Sequence, residues 1–403
     1  MGVENIGKTI LKLRKKRGIT QAELADKLNI SDKTVSKWEN GQSYPDILLL
    51  PQIASIFGIT IDKLLLGEKK GIVVAGNIIA DVVKNIDCYP NCGMMSYVSD
   101  IKHAVGGCVP NTAIDLVKID GALNVSAVGK VGSDDNGRYI MSTLQKYGVN
   151  IDGIKFSDKT PTSFCDVMSL PSGERTFFHK KGANAEFSPD DIDINSLDCN
   201  IFHIGYILLL DEFDKDDNEY GTVMAGFLKK VQSKGIKTSI DVVSDSSADY
   251  GKKILPALKF CNYIIINELE CCKIWGLDAY KEDGQLDKAY IKIAMKNAAD
   301  AGVKDKVIVH SKDISFILDV AQGTFSEVNS LNIPKDEIKG SVGAGDAFGA
   351  GCLYGLYNGY TDLQIIEFAS GAAACSLFAA DSVSGMKTKD EIVDLIEKYG
   401  RLE

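Results

Sequence analysis

The 403-residue chain predicts two units of different fold class: an all-α unit over residues 1–67 and an α/β unit over residues 72–403. Three observations carry this. Apolar residues recur at helical spacing from Ile6 to Leu65, with capping signals between the runs. From Ile72 the pattern changes to short, branched, apolar runs separated by helical stretches, which implies a mostly parallel sheet with helices on both faces. Residues about 94–105 and 162–180 alternate polar and apolar without helix signals, and read as a small antiparallel β lid.

Bulk properties narrow the function classes. Hydrophobic content of 45% with 25% charged residues is that of a folded globular protein, not a disordered one. The longest apolar runs, such as Ile204–Leu210, are too short to span a bilayer, so no membrane partner is expected. The N-terminus is amphipathic and basic without an apolar signal region, which predicts a cytoplasmic protein. Ten cysteines form no regular framework, the closest being Cys88/Cys92 and Cys271-Cys272; free, mostly buried thiols are expected. With only four histidines to assist, no direct protein metal site is predicted. Residues 1–67 carry ten Lys+Arg against seven acids, or +3; the remainder carries 35 against 48, or −13. Only the basic first unit suits nucleic acid.

Within that unit Ile6, Ile10, Leu11 and Leu13 mark a first helix that ends at Gly18 after a basic turn. Thr20 with Glu23 reads as a capping box opening a second helix through Leu28. Asn29-Ile30-Ser31 is a tight turn, and Ser31 or Asp32 caps a third helix that ends at Asn40-Gly41. Two further helices are expected around Asp46–Phe57 and Thr60–Leu65. Two helices joined by so short a turn form a helix-turn-helix, whose second helix enters the major groove. Gln21-Ala22-Glu23-Leu24-Ala25 and Val35-Ser36-Lys37-Trp38-Glu39-Asn40-Gly41 resemble the XRE/Cro-repressor helix-turn-helix family along this whole unit. The resemblance implies binding of double-stranded DNA, as dimers on two half-sites one helical turn apart. It implies phosphate contact by Gln21 and a groove-facing set of Asp32, Lys33, Ser36 and Lys37, with Val35 and Trp38 in the core. A charge of +3 is modest, so monomer affinity is expected to be weak and strongly salt-dependent. The alternative is a helical cap that only contacts protein. Residues 68–71, polar and glycine-flanked, form a short linker.

In the second unit, Ile72–Ala75, Val125–Val128, Ile201–Ile204, Thr238–Val242, Tyr263–Ile266 and Val307–Val309 are the expected strands. The lid is expected at about 88–105 and 160–182, with a hairpin turn at Pro171-Ser172-Gly173. Ser341-Val342-Gly343-Ala344-Gly345-Asp346-Ala347-Phe348 is the most informative stretch. A small-residue turn at a helix N-terminus cradles an anion, because unpaired amides and the helix dipole both favour negative charge. Asp346 then stands as a base beside a bound phosphate.

Taken in order, six motifs resemble the ribokinase-like (PfkB) carbohydrate kinase family across about 330 residues. They are Gly76–Asp81, Gly106–Asn111, Gly129–Gly137, Gly173–Thr176 with Gly182–Asn184, Asn267–Glu270, and Gly343–Asp346. The resemblance implies a ribokinase-like fold and an ATP- and Mg²⁺-dependent phosphotransferase acting on a sugar or nucleoside hydroxyl. It makes Asp346 the catalytic base and Gly343, Ala344 and Gly345 the anion hole. Asp81, Gly106, Gly107 and Asn111 would bind substrate; Asn267, Glu270 and Ser341 would serve nucleotide and Mg²⁺, the metal being held through Glu270 and phosphates. Each motif also has a plain reading: a helix cap at Asp81, a turn at Gly106-Gly107, a solvated helix start at Asn267–Glu270. The family also implies a dimer contact through lid strands, hence a homodimer.

Three positions depart from the family pattern. The usual acid is Gly340, and both glycines of the nucleotide-side motif are replaced, at Ser311 and Ile314. Cys108 and Pro110 stand where a phosphorylated substrate would want a basic residue, which favours a neutral sugar or nucleoside. Two functions therefore remain open: an active kinase carrying its own DNA-binding head, or a transcription factor using a catalytically weak kinase fold as a carbohydrate sensor.

Overall fold

The computed structural model describes residues 5–66, 70–172, 174–244 and 249–402. The chain forms two compact units, Met1–Lys70 and Gly71–Glu403.

The first unit is α1 (Asn5–Lys16), α2 (Gln21–Leu28), α3 (Asp32–Glu39), α4 (Leu50–Phe57) and α5 (Ile61–Leu66). The capping box is present: Glu23 N–H donates to Thr20 Oγ1 at 3.2 Å, and Thr20 N–H donates to Glu23 Oε2 at 2.6 Å. Of the two candidate caps for α3 it is Ser31 whose hydroxyl oxygen accepts, from Thr34 N–H at 3.2 Å. The helix expected over Asp46–Phe57 is divided into a 3₁₀ turn, Ile47–Leu49, and α4. Pro51 sits in the first turn of α4, where its missing N–H costs nothing. Leu24, Val35, Trp38, Ile53, Phe57 and Leu64 form the core, which places Val35 and Trp38 inside.

The second unit opens with β1 (Ile72–Ala75), β2 (Ile79–Ile86), β3 (Val98–Gly106), α6 (Cys108–Ile119), β4 (Val125–Gly132), α7 (Asp135–Lys146), β5 (Asn150–Ser157), β6 (Phe164–Ser169) and β7 (Arg175–Lys180). It continues through β8 (Ile201–Ile207), the two-residue strands β9 (Asp216–Asp217) and β10 (Gly221–Thr222), α8 (Val223–Ser233), β11 (Lys237–Val242), α9 (Tyr250–Leu258), β12 (Tyr263–Asn267) and α10 (Glu268–Lys273). Last come α11 (Lys288–Asp300), β13 (Lys306–His310), β14 (Ile314–Asp319), β15 (Thr324–Asn329), α12 (Ala344–Asn358), α13 (Asp362–Ser376) and α14 (Lys389–Lys398).

A nine-stranded sheet runs β15-β14-β13-β12-β11-β8-β1-β4-β5, parallel from β13 to β5, with β14 and β15 antiparallel at one edge. Successive strand residues divide between two cores. Ile72, Val74, Ile265 and Ile308 face α6, α7, α12, α13 and α14. Val73, Ala75, Ile264 and Val307 face α8, α9, α10 and α11. That partition is the period-two alternation of a strand buried on both faces.

The lid is a four-stranded sheet, β3-β2-β6-β7. Its outer pairs are antiparallel, and the central pair β2/β6 is parallel. Asp81 lies within β2, opposite Ala104 of β3, so it is not the helix cap that its plain reading offered. The β6–β7 turn uses Pro171 and Ser172 and is closed by Leu170 N–H on Glu174 O at 2.9 Å; Gly173 lies outside the described residues, as do residues 67–69 of the linker. All ten cysteines are free and eight are buried, Cys88 and Cys92 being exposed. Among the described residues no helix is long and apolar enough to cross a membrane.

Candidate functional site

Asp346 sits in the first turn of α12, a helix that starts at Gly343. Gly343 has φ 81, and a methyl group there would lie 2.6 Å from Ser382 Cβ, so the turn needs glycine on two counts. Gly345 and Asp346 occupy the second and third helical positions, whose N–H groups have no acceptor within the helix. The Asp346 carboxyl is only 7% exposed. Burial first, and the neighbouring Asp241 carboxylate, push its pKa up to about 6, against hydrogen bonds that favour the charged form.

Asn111, in the first turn of α6, is fixed at both ends of its amide. Its Nδ2 donates to Asp346 Oδ2 at 2.8 Å, and its Oδ1 accepts from Ser382 Oγ at 2.7 Å. Gly107 begins α6 at φ 83, and a methyl group there would come within 2.6 Å of Asn77 O. At Gly106 a methyl group would lie 2.1 Å from Asp81 Oδ2, so this glycine clears space for the Asp81 carboxylate. Burial pushes the Asp81 pKa up to about 6. Asn184 braces the strand that leads to Asp81, accepting from Ile78 N–H at 3.1 Å and donating to Ile78 O at 3.0 Å.

Asn267 and Glu270 form the capping box of α10. Glu270 N–H donates to Asn267 Oδ1 at 2.8 Å, and Asn267 N–H donates to Glu270 Oε2 at 3.0 Å. The pair is not a solvated helix start, because Glu270 is buried and also accepts from Ser244 Oγ at 2.8 Å. Burial pushes its pKa up to about 7. Gly129–Gly137 is held structurally: Asp134 caps α7 through Gly137 N–H and accepts from Thr162 N–H at 2.8 Å.

A cavity of about 300 Å³ gathers Ser341, Gly343, Ala344, Gly345 and Asp346 with Asn267 and Glu270. Asp81 lines a different cavity, of about 630 Å³, between lid residues such as His103 and Phe177 and Tyr139 of α7. Gly106 and Gly107 line neither. The cavities meet at the turn before α12: Val342 and Ser382 line the second, while Ser341 and Gly343 line the first.

Four residues of the first cavity carried no sequence signal that singled them out: His203, Tyr206, Asp241 and His310. Tyr206 Oη donates to Asp346 Oδ2 at 3.2 Å. His310, its pKa lowered by burial to about 4, stacks on Phe348 with centroids 4.7 Å apart. Tyr206, Asp241 and His310 lie near the carboxyl ends of parallel strands, where open α/β sheets bind ligands, and that rule would have found them; His203 sits within β8, third of its seven residues. The segment expected to bring glycines to a nucleotide is a hairpin. Ser311 N–H bonds Ile314 O at 2.9 Å, and Ser311 Oγ accepts from Ile314 N–H at 3.1 Å. One hydroxyl closes the turn that two glycines would otherwise make.

In the first unit Asp32, Lys33 and Lys37 are exposed along α3 and Ser36 is half-buried. Gln21 is tied inward: its Nε2 donates to Glu39 Oε2 at 2.7 Å, and Arg14 grips the same carboxylate at 2.6 and 2.9 Å.

The pfkB family carbohydrate kinase model matches residues 69–389, and a helix-turn-helix model matches residues 10–64. The 5-dehydro-2-deoxygluconokinase of Shouchella clausii is 25% identical over 309 residues, 73% of this chain and 86% of that protein. Fructokinase-1 of Zea mays is 23% identical over 312 residues, 73% and 89%. The structure of Arabidopsis thaliana ribokinase with ribose and ATP superposes with a TM-score of 0.66 at 20% identity, covering 83% of this chain and all of that one. Thermotoga maritima ribokinase gives a TM-score of 0.66 at 18% identity, with coverage of 81% and 99%. With its larger unit matched nearly end to end, the protein belongs to the pfkB family of carbohydrate kinases, fused to an XRE-type helix-turn-helix module.

Proposed function

We propose that the second unit transfers a phosphoryl group from ATP to a hydroxyl of a sugar or nucleoside, while the first binds double-stranded DNA, so that one chain is both kinase and transcriptional regulator. The observation that carries the kinase reading is a nearly buried carboxyl with a pKa of about 6 in the first turn of a glycine-led helix, facing a cavity. A base needs a pKa near working pH, and this one has it. Asp346 takes the proton of the acceptor hydroxyl, and the amides of Gly345 and Asp346 with the α12 dipole stabilise charge on the transferring group. Asp81 and Asn111 orient the acceptor, which provides the proximity term. The sugar and nucleotide come from the relatives, whose names are those of sugar kinases and one of which was solved with ribose and ATP.

The cavity's oxygen donors fit Mg²⁺, since Glu270, Ser244 and Ser341 line it. The cation would be held mainly by phosphates and, through water, by Glu270. When bound, Mg²⁺ offsets phosphate charge. On the first unit, Asp32, Lys33, Ser36 and Lys37 would face the groove and Gln21 a phosphate, with the chain acting as a homodimer. Ten free cysteines suit a reducing compartment, hence the cytoplasm.

The test is ATP consumption with Mg²⁺ across pentoses, hexoses and nucleosides. One substrate should turn over, and Asp346→Asn should lower kcat by roughly 10²–10⁴. An unchanged kcat would remove Asp346 from the base role. A second reading, a sensor on a kinase fold, is favoured by the hairpin that Ser311 closes and by Gly340. Its signature is no turnover, with one compound of the set still raising the thermal midpoint.

A further inference from the structure

Two donors from different elements meet on one oxygen of Asp346. Asn111 Nδ2 and Tyr206 Oη both donate to Oδ2, at 2.8 and 3.2 Å, and among the described residues no hydrogen bond falls on Oδ1. Donors stabilise the charged form of the oxygen they load, so the two oxygens are unequal as bases. Tyr206 reaches this position from a backbone that a tyrosine rarely adopts. Its φ is 60, a left-handed conformation that is strained for a non-glycine residue.

A half-buried carboxylate, backed by two buried side chains, holds it there. Asp241 Oδ1 accepts the Tyr206 backbone N–H. Asp241 Oδ2 lies 3.5 Å from His203 Nε2, and His203 Nδ1 is 3.0 Å from Ser239 Oγ. Gly205 leaves the room this needs, because a methyl group there would lie 2.9 Å from Asp241 Oδ1. The outcome of the strain is a phenol aimed at the base.

We propose that Tyr206 is a positioning residue for Asp346: together with Asn111 it occupies Oδ2, leaving Oδ1 as the oxygen that takes the acceptor's proton. The role rests on Asp346 being the base. Burial, then the Asp346 carboxylate, push the phenol's pKa well up, so it stays neutral and donates. The ionisable groups around this carboxyl are His203 and Tyr206 from β8, Asp241 from β11, and Cys108 and Asp115 from α6. Glu270 from α10 and His310 from β13 line the same cavity. Of the groups acting on Asp346, Asn111, Tyr206 and His203 lower its pKa against burial, while Asp241 raises it.

The experiment is a carbon-13 carboxyl titration of the full chain labelled at aspartate. The Asp346 resonance is identified by its loss in Asp346→Asn, and its midpoint should lie near 6. Tyr206→Phe keeps the ring and removes the donor, so the midpoint should rise by roughly one pH unit, the scale of one hydrogen bond to a charged group. The acidic limb of kcat/KM for the sugar found by ATP consumption should move up equally, with KM for ATP unchanged. A merely structural tyrosine gives the opposite sign, because loosening the site admits water and lowers the midpoint towards that of an ordinary aspartate. A midpoint that is unmoved or lowered in Tyr206→Phe overturns the proposal. The titration needs no turnover: if Asp346→Asn stayed active, the base assignment would fall while the Tyr206–Asp346 coupling was still measured.

Discussion

As the proposed base, Asp346 would set activity against stability in a single side chain. Its ordinary pKa is 3.8 and its folded value about 6, so the native state keeps a proton that the unfolded chain has already lost. Stability contributed by this group therefore falls as pH rises from about 4 to about 6, and by pH 7 the charged carboxylate costs roughly 3 kcal/mol. Asparagine cannot ionise, and its Oδ1 can still accept from Asn111. The second unit's thermal midpoint should accordingly rise by several degrees in Asp346→Asn at about pH 8, and the gain should vanish at about pH 4. Calorimetry at the two pH values decides this, since equal midpoint changes at both would mean that ionisation has no part. The same residue marks how far a sequence can be read. A carboxylate after Gly343-Ala344-Gly345 is a local pattern and was visible. Tyr206 was not, because it meets Asp346 across 140 residues of chain and no local pattern encodes such a meeting.

Elements whose determinants lie within four residues were legible, and those that depend on pairing were not. The Thr20–Glu23 box follows from donors and acceptors three positions apart, and the same spacing makes Asn267–Glu270 a box, where the sequence was read as a solvated helix start or a Mg²⁺ motif. The strand β2 was missed because its apolar residues do not stand apart from β1, and only pairing with β3 and β6 defines it. The strand β14 was hidden differently. Its Ile314 occupies a position where the family has glycine, so the segment read as a damaged loop, whereas the Ser311 hydroxyl makes it a hairpin. At this scale α10 offers a test. It has only six residues, too few to be helical unaided, so its cap should matter. Asn267→Ala should lower stability by about 1 kcal/mol, and Asn267→Asp, which keeps the acceptor, should recover most of it. Urea unfolding measures both, and an alanine variant as stable as the parent would leave Asn267 without a capping role.

For the whole molecule the decisive quantity is the free-energy coupling between the two activities proposed for one chain. The first unit carries +3 and the remainder −13, so the proposed DNA affinity should come from residues 1–67 and weaken steeply with salt. The short stretch expected as a linker, residues 68–71, motivates the expectation that a sugar bound by one unit changes DNA binding by the other. Such coupling requires the sugar to bind two states of the protein unequally, and it is reciprocal: DNA must shift sugar affinity by the same factor. Duplexes selected from a random pool provide the DNA, and the compound that raises the thermal midpoint provides the ligand. Fluorescence anisotropy should then give Kd values that differ by roughly fivefold or more with and without ligand, the lower end of ordinary allosteric coupling. Equal Kd values would mean that kinase and DNA-binding module share a chain without sharing a signal, and a factor that failed to reappear in sugar affinity would point to competition in the assay instead of linkage.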